Sequence, residues 1–181
     1  MAKIGLDNFL YAILTEAPDG TPSYGTAKKP ARAIEAKVDV SSNDVKLYAD
    51  NAIAESDTSF QGGSVTLGID HEDIEVMADL LGHTVTDGEM VRNMNDVAPY
   101  VGFARIAQLV LNGVPKFRVE FLFKVKFAEP SQENKTRGES VEFGTYELSG
   151  VVATLANGDW SKAKTFDTKA DAAEYANALF S

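Results

Sequence analysis

Cysteine is absent from this sequence of 181 residues, tryptophan occurs once and histidine only twice. The lack of cysteine excludes disulfide bonds and thiolate chemistry, and it is compatible with a reducing compartment. The first residues lack the apolar run of a signal peptide, and no apolar segment reaches the ~20 residues that span a bilayer. We therefore expect neither export nor a membrane partner.

Signatures of catalysis are missing as well. Gly62 and Gly63 precede a predicted strand rather than a helix, so they do not form a phosphate-binding loop. There is no Gly-x-Ser-x-Gly nucleophile motif and no acidic pair suited to glycoside hydrolysis. His71 and His83 lie at opposite ends of one predicted helix, where they cannot share a metal ion. The sequence predicts no enzyme, no cofactor and no metal site.

The charge is strongly negative, at −10, from 27 acidic and 17 basic residues. A compact acidic domain repels nucleic acid, which argues against reading bases or gripping phosphates, and its charge favours solubility. Hydrophobic residues make up 44% of the chain, enough for a sizeable core without disulfide bonds. We expect a single domain over residues 1–181.

The clearest secondary-structure signal is residues 116–127, where apolar and charged residues alternate. The odd positions are Phe117, Val119, Phe121, Phe123, Val125 and Phe127. Successive side chains of a strand point to opposite faces, whereas a helical period would scatter these phenylalanines. The pattern predicts the central strand of an antiparallel β-protein, with a single Phe/Val face forming the core.

The other elements follow from the same periodicities. We expect about seven strands in all, including segments in residues 5–15, 33–48, 64–70, 99–111 and 141–156, the second with either a bulge or a hairpin turn at residues 41–44. A helical stripe of Ile74, Met77, Ala78 and Leu81 predicts a helix over about 70–82, capped by Asp70 and closed by Gly82. A second helix is predicted over about 168–180, with Thr168 and Asp171 as a capping box at its start. Asn112-Gly113 predicts a tight hairpin turn, and we also expect a charged loop over residues 129–140 and a bulge near Gly144. The fold class is mainly β (α+β), an antiparallel β-sandwich or barrel.

Two polar regions remain ambiguous at this level. Residues 49–63 are acidic and too long for an ordinary hairpin turn, so we predict a long functional loop there. The charged face of the central strand carries Arg118, Lys124 and Lys126. It is either a solvated face that suppresses edge pairing or a surface that meets acidic residues of a neighbouring copy.

A series of short signatures spread over nearly the whole chain resembles the major tail proteins of long-tailed bacteriophages, which build the tail tube. The signatures are Gly5-Leu6, Tyr11-Ala12, Tyr24-Gly25-Thr26, Leu47-Tyr48-Ala49-Asp50-Asn51, Leu80-Leu81-Gly82-His83, Ala98-Pro99-Tyr100-Val101, Lys126-Phe127-Ala128-Glu129-Pro130 and Thr136-Arg137-Gly138-Glu139-Ser140. The resemblance implies a β-sandwich with a flanking helix and hexameric rings that stack into a hollow tube through which DNA passes. It also implies other tail proteins, such as the tape measure and tail terminator, as partners, and the virion as the location, after synthesis in the bacterial host cytoplasm.

Under this resemblance, candidate roles fall on polar strands and on the predicted loop. The Ser/Thr- and acid-rich faces of residues 33–48 and 64–70 are expected to line the bore, with Glu35, Asp39, Ser64 and Thr66 as candidates and Lys37 as the exception. The predicted loop is expected to reach the next ring through Asp50, Asn51, Glu55 and Asp57. A bore of like charge lets DNA slide without specific binding.

Other classes of protein stay open on the sequence alone. One is a tube protein of a type VI secretion-like system, which shares the implied fold. Another is a monomeric β-sandwich module that binds carbohydrate or protein. A third is an enzyme with a lipocalin-like or hydrolytic pocket, for which the sequence offers no convergent polar residues. Some members of the resembled family carry an extra C-terminal immunoglobulin-like domain, which we do not expect here.

Overall fold

Antiparallel strands dominate the chain in a computed structural model, which describes residues 2–30, 33–43, 45–49, 52–57, 59–130 and 146–181. The strands are β1 (Ala2–Glu16), β2 (Pro22–Tyr24), β3 (Ala33–Ser42), β4 (Val45–Ala49), β5 (Ala52–Asp57), β6 (Phe60–Ile69), β7 (Thr84–Thr86), β8 (Glu89–Val91), β9 (Val101–Leu111), β10 (Val114–Phe127), β11 (Tyr146–Ala153) and β12 (Ser161–Phe166). The helices are α1 (Ile74–Leu81) and α2 (Lys169–Ala178). The predicted fold class, an antiparallel β-sandwich type of α+β fold, is confirmed.

The main sheet branches at β10. Its strand order is β2-β1-β9-β10-β11-β6-β3, and β12 also pairs with β10. Residues 117–122 of β10 pair with β12, and residues 124–127 pair with β11. The strands β11, β6 and β3 then lie over β10, β9 and β1, as shown by Arg105 of β9, which donates from Nη1 to the carbonyl of Ala36 in β3 at 3.0 Å. The prediction of a central strand over residues 116–127 is confirmed.

Two hydrophobic cores lie on opposite faces of the β1-β9-β10 layer. The inner core fills the space between the two β layers, and α1 covers part of it; its large members are Phe9, Tyr11, Leu67, Ile69, Met77, Leu80, Phe103, Phe127 and Leu148. The outer core lies between the same layer and α2, and contains Leu10, Ile106, Val119, Phe121, Ala172, Ala176 and Phe180. Strands β1 and β9 therefore bury side chains on both faces, as sheets covered on both sides do.

The aromatic alternation of β10 is divided between these two cores. Val119 and Phe121 belong to the outer core, whereas Val125 and Phe127 belong to the inner one. The cause is an irregularity in the pairing with β9, where the register shifts between Leu122 and Val125. An extra residue at such a bulge reverses the face to which later side chains point. The prediction that all six odd positions share one face is therefore wrong.

The helix α1 is shorter than the predicted span of 70–82. Its N-cap is Asp73, whose carboxylate accepts from the backbone N–H of Glu75 at 2.9 Å, so the predicted Asp70 cap is wrong. Gly82 closes the helix with φ of 79°, as predicted. Its buried face contains Val76 and Leu80 in addition to most of the predicted stripe, while Ile74 is exposed. Helix α2 begins after Thr168, whose hydroxyl accepts from the N–H of Asp171, as a capping residue does.

The predicted loop over residues 49–63 is wrong, because most of it forms strands. Strand β3 pairs with β6, and β4 pairs with β5 up to the Ala49–Ala52 pair. The four strands thus form one long hairpin, and the backbone N–H of Asn43 donates to the carbonyl of Ser59 at 2.8 Å between its two halves. The pairing of β3 with β6 shifts register between Ser41 and Ser42, so the interruption predicted there begins with a bulge or irregularity rather than a turn.

Several predicted features fall elsewhere. Asn112 and Gly113 form the tight turn between β9 and β10 with φ of 52° and 80°, as predicted. Strand β12 was not predicted. The charged loop at residues 129–140 and the bulge near Gly144 lie largely or wholly outside the described residues.

Candidate functional site

Three strands on the outside of the sandwich carry a polar face, formed by Glu35, Lys37 and Asp39 of β3, Ser64 and Thr66 of β6, and Glu147 and Ser149 of β11. The pairing register aligns these residues in rows across the three strands, for example Lys37 beside Thr66 and Thr66 beside Ser149. The intervening Ala36, Val65, Leu67 and Leu148 are buried in the inner core. Alternation therefore exposes this face, which also carries the exposed Val151 beside Ser64, while its reverse side holds the sandwich together.

The polar face is acidic overall. It has three carboxylates and one lysine, a formal charge of −2. The Nζ atom of Lys37 lies 2.8 Å from Oδ2 of Asp39, and this hydrogen bond, together with the charge of Asp39, raises the pKa of Lys37. Lys37, the one basic residue predicted for this face, is thus paired with an acidic residue of the same face. The other two carboxylates, Glu35 and Glu147, lie on either side of Gly68.

The structure brings the four bore candidates together. Glu35, Asp39, Ser64 and Thr66 all belong to the polar face, and Asp39 is the direct partner of Ser64. The inter-ring candidates are placed differently. Glu55 and Asp57 lie in β5 rather than in a loop, and Asp50 and Asn51 lie outside the described residues.

The three basic candidates of the central strand do not form one face. Nε of Arg118 lies 3.4 Å from the hydroxyl of Thr165 in β12. Lys124 forms an ion pair with Glu16, and its Nζ atom lies 4.6 Å from the ring centre of Tyr100. Lys126 lies over the same ring at 5.3 Å. The register shift in β10 separates Arg118 from the two lysines, and contacts within the chain occupy all three.

The strand at one edge of the main sheet, β3, is long. Among the strands that the structure describes, β3 pairs only with β6, so its other edge has no strand beside it over ten residues. Edges of this kind can pair with another chain unless a protein blocks them. Strands β4 and β5 form a separate two-stranded sheet that continues this hairpin.

A second polar cluster lies at the end of α1 and was not found from the sequence. The ring of His83 contacts two carboxylates, with Nδ1 2.8 Å from Asp96 Oδ2 and Nε2 2.9 Å from Glu129 Oε2. Arg92 joins the cluster, with Nε 2.8 Å from Glu129 Oε1 and Nη2 3.0 Å from Glu72 Oε1. The two carboxylates are 13 and 46 residues from the histidine, so no local spacing could have indicated their convergence.

The electrostatics of this cluster favour the protonated histidine. Burial lowers the pKa of His83, but hydrogen bonds to Asp96 and Glu129, with their charges, outweigh it and raise the pKa above its usual 6.5. The hydrogen bond from His83 also lowers the pKa of Asp96, with help from the backbone N–H of Asn93. The side chain of His83 is only 7% exposed.

Within the described ranges, no three or more His, Asp or Glu side chains are arranged to hold a metal ion. No helix in the described part of the chain is long and apolar enough to cross a bilayer. No protein-family model matches the chain, and the curated proteins contain no significant match to it.

Proposed function

We propose that this chain is a structural subunit of a bacteriophage tail tube, in which hexameric rings stack into a hollow cylinder that conducts DNA. The observation that carries the proposal is the combination of the polar face with the open edge of β3. The sequence resemblance to major tail proteins supports it independently of these two features.

The open edge explains how identical copies could join. If the edge of β3 pairs with a strand of a neighbouring copy, the polar face continues from one copy into the next. A contact between two different surfaces of identical subunits closes into a ring when its rotation fits. In a closed ring, the polar faces form a continuous inner wall, and no edge remains exposed.

The charge of the polar face suits a DNA conduit. A wall that binds phosphates releases counterions and holds DNA, whereas an acidic wall makes no such bonds. With −10 per copy, a ring of six carries a formal charge of about −60, of which about −12 lies on the six polar faces, and these charges act over about 8–10 Å at physiological salt. DNA therefore passes without specific binding, and the protein needs neither a cofactor nor catalysis.

The β4-β5 end of the long hairpin supplies the contact between rings. In the described structure these two strands pair with each other and with no strand of the main sheets. A hairpin that is not part of the main sheet can reach a neighbouring ring. In the virion, the tube would also meet the tape measure inside it and the tail terminator at its end.

Electron microscopy of a shortened hairpin tests the proposal. Residues 44–58 can be replaced with Asn-Gly, because Asn43 and Ser59 are already hydrogen-bonded neighbours at 2.8 Å. We expect the intact chain to form tubes at high concentration and the shortened chain to give only single rings or monomers. Full tubes from the shortened chain would remove the inter-ring role. An intact chain that stays monomeric at every concentration, even with other tail components, would refute the tube.

A monomeric binding module is the second candidate, favoured by one cavity. A space of about 240 Å³ opens between β3 and β12, and its walls include Val38, Phe103, Leu122 and Trp160. The Trp160 ring is already stacked on Phe60, with centroids 4.5 Å apart, which limits its use for stacking on a sugar. The same microscopy separates the two candidates, because a binding module stays monomeric.

A further inference from the structure

We propose that His83 is a protonation-dependent tie that fastens the end of β10 to the end of α1. The proposal rests on the geometry of one ring between two carboxylates, and it is independent of the tube. Three separate parts of the chain meet there: His83 follows α1, Asp96 belongs to the segment after β8, and Glu129 follows β10.

The two contacts require a doubly protonated ring. A carboxylate only accepts hydrogen bonds, and a neutral imidazole has one N–H donor and one lone pair. With 2.8 Å on Nδ1 and 2.9 Å on Nε2, both nitrogens of His83 must donate. Loss of the proton therefore leaves one carboxylate facing a lone pair, and that contact opens.

The structure indicates which contact opens. Asp96 is held in its own segment, since its Oδ2 also accepts from the backbone N–H of Asn93 at 2.8 Å, and its side chain is only 18% exposed. Glu129 is 47% exposed and can turn towards water. We infer that neutral His83 keeps its proton on Nδ1 for Asp96 and releases Glu129.

The surrounding charges favour a release that is local. Arg92 contacts Glu129 through Nε and Glu72 through Nη2. It can therefore keep Glu129 near β8 after the hydrogen bond between His83 and Glu129 is lost. Asp96, Glu129, Arg92 and Glu72 are the charged groups of this cluster, and Leu81 and Phe127 are the apolar side chains beside it. The release is confined to Glu129, because Phe127 stays in the inner core and the backbone N–H of Ala128 donates to the carbonyl of Ser149 at 2.8 Å.

The direction of the pH dependence follows from the raised pKa of His83. Below the unfolded value of about 6.5 the tie contributes its full stability, and this contribution is lost as pH rises through the folded pKa. At the acid end, the lowered pKa of Asp96 means that its contribution is lost as pH falls through that pKa. The tie is therefore closed between the lowered pKa of Asp96 and the raised pKa of His83, and it opens as the pH rises through the pKa of His83.

Nuclear magnetic resonance of the full chain tests the tie. The nitrogen shifts of the His83 ring report its protonation and its tautomer, and His71→Gln assigns the two histidines. We expect a midpoint above 6.5, the Nδ1–H tautomer at high pH, and amide shifts of Ala128 and Glu129 that follow the same midpoint. A midpoint at or below 6.5, an Nε2–H tautomer, or amide shifts independent of His83 would each overturn the proposal.

Two variants that each remove one negative charge separate the contact with His83 from a general effect of charge. Glu129→Gln replaces the carboxylate with an amide that can donate to a neutral ring, so the midpoint of His83 should fall. Glu174→Gln changes the charge by the same amount on the exposed side of α2, and the midpoint should stay within about 0.1–0.2 pH units of the wild type. Equal shifts in the two variants would mean that long-range charge, rather than the contact, sets the midpoint. Asp96→Asn offers a second test, in which the midpoint should fall as well.

Discussion

Arg105 and Glu120 face each other across β9 and β10, with Arg105 Nε 2.6 Å from Glu120 Oε2 inside the sandwich. Arg105 also reaches the opposite layer, since its Nη1 donates to the carbonyl of Ala36. The two side chains are only 13% and 23% exposed. The pair therefore lies where a single unpaired charge is costly.

Removing one member of this pair should destabilise more than removing both. Glu120→Leu leaves the Arg105 guanidinium without its carboxylate, and we expect a loss of about 2 kcal/mol in the free energy of unfolding, below the ~3–5 kcal/mol of a fully buried pair because of the partial exposure. Arg105→Met with Glu120→Leu should recover most of that loss. Urea unfolding of the wild type, the two single variants and the double variant measures the coupling between the two residues. If the losses in the free energy of unfolding of the single variants add up in the double variant, the expectation is contradicted.

The Phe121 ring is the centre of the outer core and is 1% exposed. It contacts the rings of Tyr24, Phe123 and Phe180 at centroid distances of 5.2–5.4 Å. Phe121→Ala should lower the free energy of unfolding by roughly 3–5 kcal/mol, because it leaves a cavity that these rings cannot fill. The half-buried Phe117, on the same strand, is the matched control and should lose less. An unchanged melting temperature for Phe121→Ala would remove this residue from the core.

Gly82 and Gly88 offer a test of close packing at equal backbone geometry, since both have φ of 79°. A Cβ atom on Gly82 would lie 2.3 Å from the carbonyl oxygen of Val97, whereas nothing lies within 4 Å of one on Gly88. Gly88→Ala should cost about 1–2 kcal/mol, the usual penalty for a left-handed residue. Gly82→Ala should cost clearly more, because Val97 must move. Similar melting temperatures for the two variants would rule out this close approach.

Reversing the charge of the polar face should create DNA binding. Glu35→Lys with Asp39→Lys changes the face from −2 to +2, since three carboxylates and one lysine become one carboxylate and three lysines. We expect DNA affinity that falls steeply with salt, as phosphate contacts do, and none for the parent. Filter binding at several KCl concentrations measures both.

The matched control for that reversal places the same charge change elsewhere. Glu89→Lys with Glu174→Lys adds the same positive charge on two exposed positions of β8 and α2. This variant should bind DNA more weakly than the reversed polar face. Equal binding would show that total charge, and not the location of the polar face, governs contact with DNA.

The parts of the fold that could be predicted are those with local causes. The alternation in β10, the Asn112-Gly113 turn and the cap by Thr168 depend on neighbouring residues, and all three appear in the structure. The split of β10 between two cores depends on a register shift relative to β9, which leaves no trace in the alternation itself. Residues 49–63 resembled a loop because small and polar residues carry little strand signal, although β5 and β6 occupy most of them.

The polar face and the cluster around His83 also differ in how far the local sequence could predict them. Glu35, Asp39, Ser64 and Thr66 could be grouped in advance, because period-2 alternation assigns each to the outward face of its strand. Asp96 and Glu129 could not be grouped with His83 in advance, because they come from two distant segments that only the folded chain brings within 3 Å of its ring.

The division of β10 between the two cores has a mechanical consequence. A strand that anchors side chains on both sides transmits a load applied to α2 directly into the sandwich, so neither side can yield alone. Pulled or heated, the body of the chain should give way in one step, without a partly melted form that keeps one core intact.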